Sequence, residues 1–94
     1  MQYLKVNWKH DFADDPVLLV SELDDERMEQ RKVEVYRDGR ADIADVNMAT
    51  GSTRLSIEPI PTEQEIESDE QFVVETISGQ EFEQLWKQSM RAHA

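Results

Sequence analysis

An α+β fold, about five antiparallel strands with a C-terminal helix packed on one face, is what this sequence predicts, and three patterns carry the reading. In QYLKVNW, Leu4, Val6 and Trp8 share one parity while Lys5 and Asn7 take the other, the period of a half-buried strand. In KVEVYRDGRADIA, Asp38-Gly39 separates two alternating runs, which marks a hairpin. Near the C-terminus, Phe82, Leu85, Trp86 and Met90 follow the spacing of one helical face. The 94 residues fit a single α+β domain over positions 1–94. A chain of this size buries about 60–65% of the surface of its unfolded form, enough for one modest core.

The remaining elements follow in order. Asp15-Pro16 restarts the chain after an exposed turn. VLLVSEL is apolar on both parities and reads as a central strand covered on both faces at its start. Register chooses the hairpin loop. A two-residue loop sets Val35 opposite Asp42, whereas the three-residue loop Arg37-Asp38-Gly39 pairs Tyr36 with Arg40, Val35 with Ala41 and Val33 with Ile43, keeping one apolar face. Gly39 then enters the left-handed region of a G1 bulge without a Cβ penalty. NMATGST is a loop hinged at Gly51, and RLSIEP is a short strand that Pro59 and Pro61 confine to an edge or a strand end. Thr62 and Glu65 form a capping box for one or two helical turns in PTEQEIESDE, where Ile66 is the only apolar interior residue. QFVVETI is a further strand. Ser78 then caps the last helix, with Glu81 at N3 and Ile77 stapled onto Phe82. Strand order is left open.

Composition narrows the function classes. There is no cysteine, which removes disulfides, thiolate metal sites and thiol catalysis. The 21 acids against 10 bases give a net charge of -11. Nucleic-acid binding draws on Lys and Arg contacts to phosphate, and anionic membranes repel such a chain. A basic protein partner suits it better. MQYLKVNW lacks the basic and apolar regions of a signal peptide, and no apolar run approaches the ~20 residues of a membrane span, so the expected compartment is the cytoplasm.

The stretches HDF.D.PVLLVSELD, RKVEVYRDGR and EPIP, with the helix IS..EFE.LW, resemble a family of small stand-alone bacterial proteins catalogued as a domain of unknown function. The resemblance runs from Tyr3 to about Lys87, with Ala13 and Val20 where the family pattern has a proline and a tyrosine. It implies a compact cytosolic bacterial protein and brings no activity with it.

Several clusters are candidate sites. His10, Asp11, Asp14 and Asp15 hold imidazole and carboxylate ligands, but their spacing matches neither a calcium loop nor a zinc set. They read as a polar loop ending at Pro16. Asp24, Asp25, Glu26 and Glu29 lie among Arg27 and Arg31, with nothing apolar nearby to shift a carboxyl pKa, and read as a charged turn. Ser78 is a helix cap, His93 adjoins the C-terminus, and there is no G-x-S-x-G elbow or phosphate loop. No catalytic residue, metal ligand or cofactor is assigned. From Glu58 to Glu83 the acids Glu58, Glu63, Glu65, Glu67, Asp69, Glu70, Glu75, Glu81 and Glu83 run without a Lys or Arg. Arg27, Arg31, Lys32, Arg37, Arg40 and Arg54 fall in the middle third, which predicts a bipolar molecule. Trp8, Phe72, Phe82 and Trp86 are assigned to the core. Tyr36 shares the parity of Lys32 and Glu34, opposite Val33 and Val35; on a solvated face it is an exposed interface anchor.

The expected function is therefore non-enzymatic. The chain reads as an acidic protein that inhibits or neutralises a basic partner, such as an immunity protein against a nuclease toxin or a nucleic-acid-mimicking inhibitor. Its binding surface is Asp24, Asp25, Glu26, Tyr36, Glu63, Glu65, Glu67, Asp69 and Glu70. The alternative is a small metal-dependent or acid/base enzyme centred on His10 and nearby carboxylates. A third reading is a self-associating adaptor with an exposed strand edge.

Overall fold

Four strands follow one another as an antiparallel meander: β1 (Gln2–Trp8), β2 (Leu18–Leu23), β3 (Glu29–Val35) and β4 (Ala41–Asp45). This computed structural model describes residues 1–93. After a long excursion and a single turn of helix, α1 (Glu63–Glu67), the chain returns as β5 (Phe72–Thr76) beside β1, and α2 (Gly79–Ala92) follows. The order is β4-β3-β2-β1-β5, with every neighbouring pair antiparallel. The architecture is the predicted one, an antiparallel five-stranded sheet with a C-terminal helix.

The β3–β4 hairpin adopts the three-residue loop. Val35 pairs with Ala41 and Val33 with Ile43, the Tyr36 amide donates to Arg40 O at 2.8 Å, and Gly39 sits at φ 90°. Asp38 fastens the loop by accepting from the Arg40 amide at 2.9 Å. Gly51 turns the following loop at φ 56°, and a Cβ there would lie 2.6 Å from Asp42 Oδ2, so the position excludes a side chain twice over.

α2 closes one face of the sheet. Ser78 Oγ accepts from the Glu81 amide at 3.0 Å, satisfying one of the open donors of the first turn. Phe82 and Trp86 then bury against Val20, Val33 and Ile43, with Ile77 and Leu85 packed on this cluster. Met90 departs from expectation: it is 42% exposed, and Ser89 is buried in its place. At 3.6 residues per turn, Ser89 lies about 20° from Phe82 around the helix and Met90 about 80°, so the seven-residue step keeps the face and the eight-residue step leaves it.

The second face carries Leu4, Val6, Leu23 and Ala44, all buried. Chain between β4 and α1 covers it, and this overturns two expectations. RLSIEP is not a strand, because its polar groups bond to side chains of β3 and not to a neighbouring backbone. The Ser56 amide donates to Glu29 Oε1 at 2.7 Å, and Lys32 Nζ donates to Arg54 O at 3.0 Å. The face of Lys32 and Glu34 is therefore covered, and Thr53 Oγ1 donates to Glu34. Tyr36 is not an exposed anchor: it is 6% exposed, with the Arg40 guanidinium 4.3 Å from its ring centre. β2 is the central strand, but its buried end is the second half, Val20–Leu23, where both covering layers meet, and not its start.

Phe82→Ala lowers stability by about 3–5 kcal/mol through lost burial and a cavity. Met90→Ala changes it by no more than about 0.5 kcal/mol. Urea denaturation of the two variants checks the helix face directly.

Candidate functional site

A β-bulge builds the centre of the candidate site. Along β2 and β3, Glu22 pairs with Arg31 but Leu23 pairs with Glu29, so Gln30 is the extra residue. Strict alternation would place Glu29 on the face of Arg31. The bulge turns it to the opposite face, beside Ser21 and Lys32. There Ser21 Oγ donates to Glu29 Oε2 at 2.7 Å and Lys32 Nζ lies 3.0 Å from Glu29 Oε1. The Glu29 side chain is almost wholly buried, so it does not belong to the charged turn in which its sequence position places it.

Above this polar floor is a cleft of about 450 Å³. Its walls are apolar: Val6 and Leu19 from the sheet, Ile60 and Pro61 from the covering segment, Ile66 from α1 and Phe72 from β5. Glu65 and Asp69 stand at its border. Volume and lining fit the usual description of a ligand pocket, mostly apolar with a few convergent polar groups.

Arg27 holds the outer wall. It sits at φ 65°, in the left-handed region that non-glycine residues seldom adopt, and is kept there by bonds on both sides. Its carbonyl accepts from the Ile60 amide at 2.8 Å, its guanidinium donates to Ile60 O and Pro61 O, and it pairs with Glu63 at 2.8 Å. Arg31 makes an equivalent clasp on the other face. It forks onto Glu22 at 2.8 and 2.7 Å, pairs with Glu83 of α2, and lies 4.9 Å from the Phe82 ring centre. The hydrogen bonds from Arg31 hold the Glu22 carboxyl below its ordinary range, against the opposing effect of burial. Donating those bonds to Glu22 in turn holds the Arg31 guanidinium above its own.

The clasps correct the bipolar expectation. Arg27 and Arg31 reach across to Glu63 and Glu83 of the acidic run, and Lys32 is matched by Glu29. The predicted binding residues also separate. Glu63 is committed to Arg27, and Glu65 uses Oε1 to close the α1 capping box with Thr62. Asp24 Oδ1 accepts from the Glu26 and Met28 amides and shapes the β2–β3 turn, leaving Asp25 and Glu26 exposed beside it. Glu67, Glu70, Glu75 and Glu81 are exposed along α1, β5 and the start of α2, and among the described residues none forms a salt bridge. Glu67 and Glu70 flank the α1 and β5 residues that wall the cleft, whereas Glu75, paired with Lys5, faces the α2 side of the sheet.

His10 closes its own loop through both ring nitrogens. Its Nδ1 accepts from the Phe12 amide at 3.0 Å, which leaves Nε2–H to donate to Pro16 O at 2.8 Å. The ring packs on Trp8 at 4.2 Å, and both nitrogens are spent closing the loop. Asp11 and Asp14 are exposed, and among the described residues no group of three potential metal ligands converges. Of the four aromatic residues assigned to the core, Phe82 and Trp86 are buried, while Trp8 and Phe72 are half-buried and stack at 6.0 Å.

Sequence reasoning did not find the cleft. Its one local signal is Ile66, a lone apolar residue in an acidic turn. No helix among the described residues is long and apolar enough to cross a membrane. Compared with known families, residues 2–91 match the model described as Domain of unknown function (DUF6881). No curated protein and no solved structure matches the chain.

The depressed Glu22 carboxyl gives a signed pH dependence. Its stabilisation is complete above the ordinary glutamate value of about 4.3 and is lost as pH falls through the lower folded value. Glu22→Gln lowers stability at neutral pH by about 1.5–3 kcal/mol. In urea titrations carried from neutral to about pH 3, the gap between variant and wild type closes as Glu22 protonates.

Proposed function

The chain belongs to this family of domains of unknown function, DUF6881, and from that premise we propose that it is a non-enzymatic acidic binding protein that captures and neutralises a basic protein partner. The observation that carries the reading is the acidic edge. Glu67, Glu70, Glu75 and Glu81 are exposed and form no salt bridge among the described residues, while Arg27, Arg31 and Lys32 are tied into internal ion pairs. Three of the ten bases are thereby turned inward, leaving Lys5, opposite Glu75 on β1, and the exposed Lys9 as the cations beside a surface that carries most of the net charge of -11. Such a surface raises the encounter rate with a basic protein and repels nucleic acid and anionic membrane. The partner class that fits is a bacterial nuclease toxin or another nucleic-acid-binding enzyme. Its phosphate-binding surface would be occupied by carboxylates in place of phosphates, in the cytoplasm of the producing cell. The His10-centred enzyme has no comparable support, because the imidazole is already engaged at both nitrogens.

The structure selects the residues for the test. Reversing Glu63 or Glu65 would disturb the Arg27 clasp or the α1 cap, so Glu67→Lys, Glu70→Lys and Glu75→Lys are the informative changes. Tagged wild-type protein retains one basic protein at near-stoichiometric level from host lysate in low salt and loses it as salt rises. The triple variant keeps the wild-type fold by circular dichroism and retains at least tenfold less. Equal retention by the variant rejects the acidic edge as the binding surface.

A further inference from the structure

The cleft and the acidic edge share α1 and the start of β5, and their chemistries differ in a way that defines an occupant. We infer that the cleft receives an apolar side chain of the basic partner, flanked by an Arg or Lys that reaches Glu65 and Asp69. This rests on the reading above and specifies what that partner presents. The apolar walls set by Leu19, Ile60, Ile66 and Phe72 are open enough, at about 450 Å³, for a large aliphatic or aromatic side chain. The floor offers no free charge, since Lys32 and Glu29 satisfy one another. Glu65 and Asp69 decide the sign of the flanking group. Glu65 uses Oε1 for the Thr62 cap and Asp69 uses Oδ1 for the Gln71 amide, and the second oxygen of each has no hydrogen-bond partner among the described residues. Two carboxylates with open acceptors beside an apolar cleft fit a guanidinium or ammonium next to a hydrophobic anchor. An anionic or purely apolar ligand leaves them unmatched. A second copy of this chain is a poor occupant, because it brings its own charge of -11.

The test uses two peptides of equal charge, acetyl-Arg-Phe-Arg-amide and acetyl-Arg-Ala-Arg-amide, titrated into the full chain and followed by amide chemical shifts. The phenylalanine peptide is expected to bind at least tenfold more tightly and to shift Ser21, Lys32 and Ile66. Ile66→Trp fills the cleft from a half-buried position and is expected to erase the difference between the peptides, with the spectrum otherwise retained. Asp69→Asn keeps an acceptor for Gln71 but removes the charge, and is expected to weaken the phenylalanine peptide several-fold. Equal affinities with shifts confined to Glu67, Glu70 and Glu75 overturn the cleft proposal and leave the acidic edge standing. Unchanged affinity in Asp69→Asn overturns the cationic flank. Binding by neither peptide overturns the cleft proposal and counts against the basic-partner reading as well.

Discussion

A five-stranded sheet has two faces to cover, and among the described residues there is one substantial helix with which to do it. α2 takes the face of Val20, Val33 and Ile43. The other face, with Leu4, Leu23 and Ala44, is left to irregular chain between β4 and α1. Irregular chain over a sheet has backbone donors and acceptors that neither water nor a ladder fully satisfies. Most of the unusual features of the molecule answer that need. Glu29 accepts from the Ser56 amide, Lys32 donates to Arg54 O, and Arg27 donates to Ile60 O and Pro61 O. The bulge at Gln30 exists in the same context, since without it Glu29 would point toward α2. A loop covers a sheet less completely than a helix, and the cleft is the part of the second face left uncovered.

The same arrangement sets the surface charge. Each arginine used as a clasp is one fewer at the surface. Arg27 binds the covering segment to the β2–β3 turn, and Arg31 binds α2 to the sheet through Glu83 while its plane rests near Phe82 and Trp86. Forked guanidinium contacts of this kind suit Arg and not Lys. Both clasps consume one or more acids as well, but the run from Glu58 to Glu83 holds nine and loses two to Arg27 and Arg31. What remains outside is an excess of carboxylate on the α1–β5 side. Fold stability and surface field are thus two results of one allocation of charge.

Legibility in the sequence tracks the range of the interaction involved. The β3–β4 loop, the Thr62 capping box and the Ser78 cap are decided within about four residues, and each was readable from turn and cap chemistry. The parity of β1 and the Phe82–Trp86 face were readable because one covering layer imposes one period. Failures begin where coverage is non-local. RLSIEP fails as a strand because β3 side chains, about 25 residues earlier, take its backbone groups, while the buried Tyr36 carries the Arg40 guanidinium over its ring. Glu29 reads as part of a charged turn because its burial depends on the bulge at Gln30, which local composition does not signal. The acidic edge was visible as composition, yet which of its members were free depended on the Arg27 clasp and the α1 cap.

In the proposed complex, the charged edge and the apolar cleft would divide the work of recognition. Carboxylates at a solvated edge act over roughly a Debye length, near 8 Å at physiological salt, and so govern encounter more than residence. An apolar recess acts only on contact and governs how long a partner stays, because dissociation must re-expose the anchor to water. An acidic surface alone would attract any basic protein in the cell. A cleft alone would accept many apolar side chains. On the proposed reading, their proximity around α1 and the start of β5 would restrict binding to partners that offer both chemistries together, a selectivity drawn from the part of the sheet that α2 leaves uncovered.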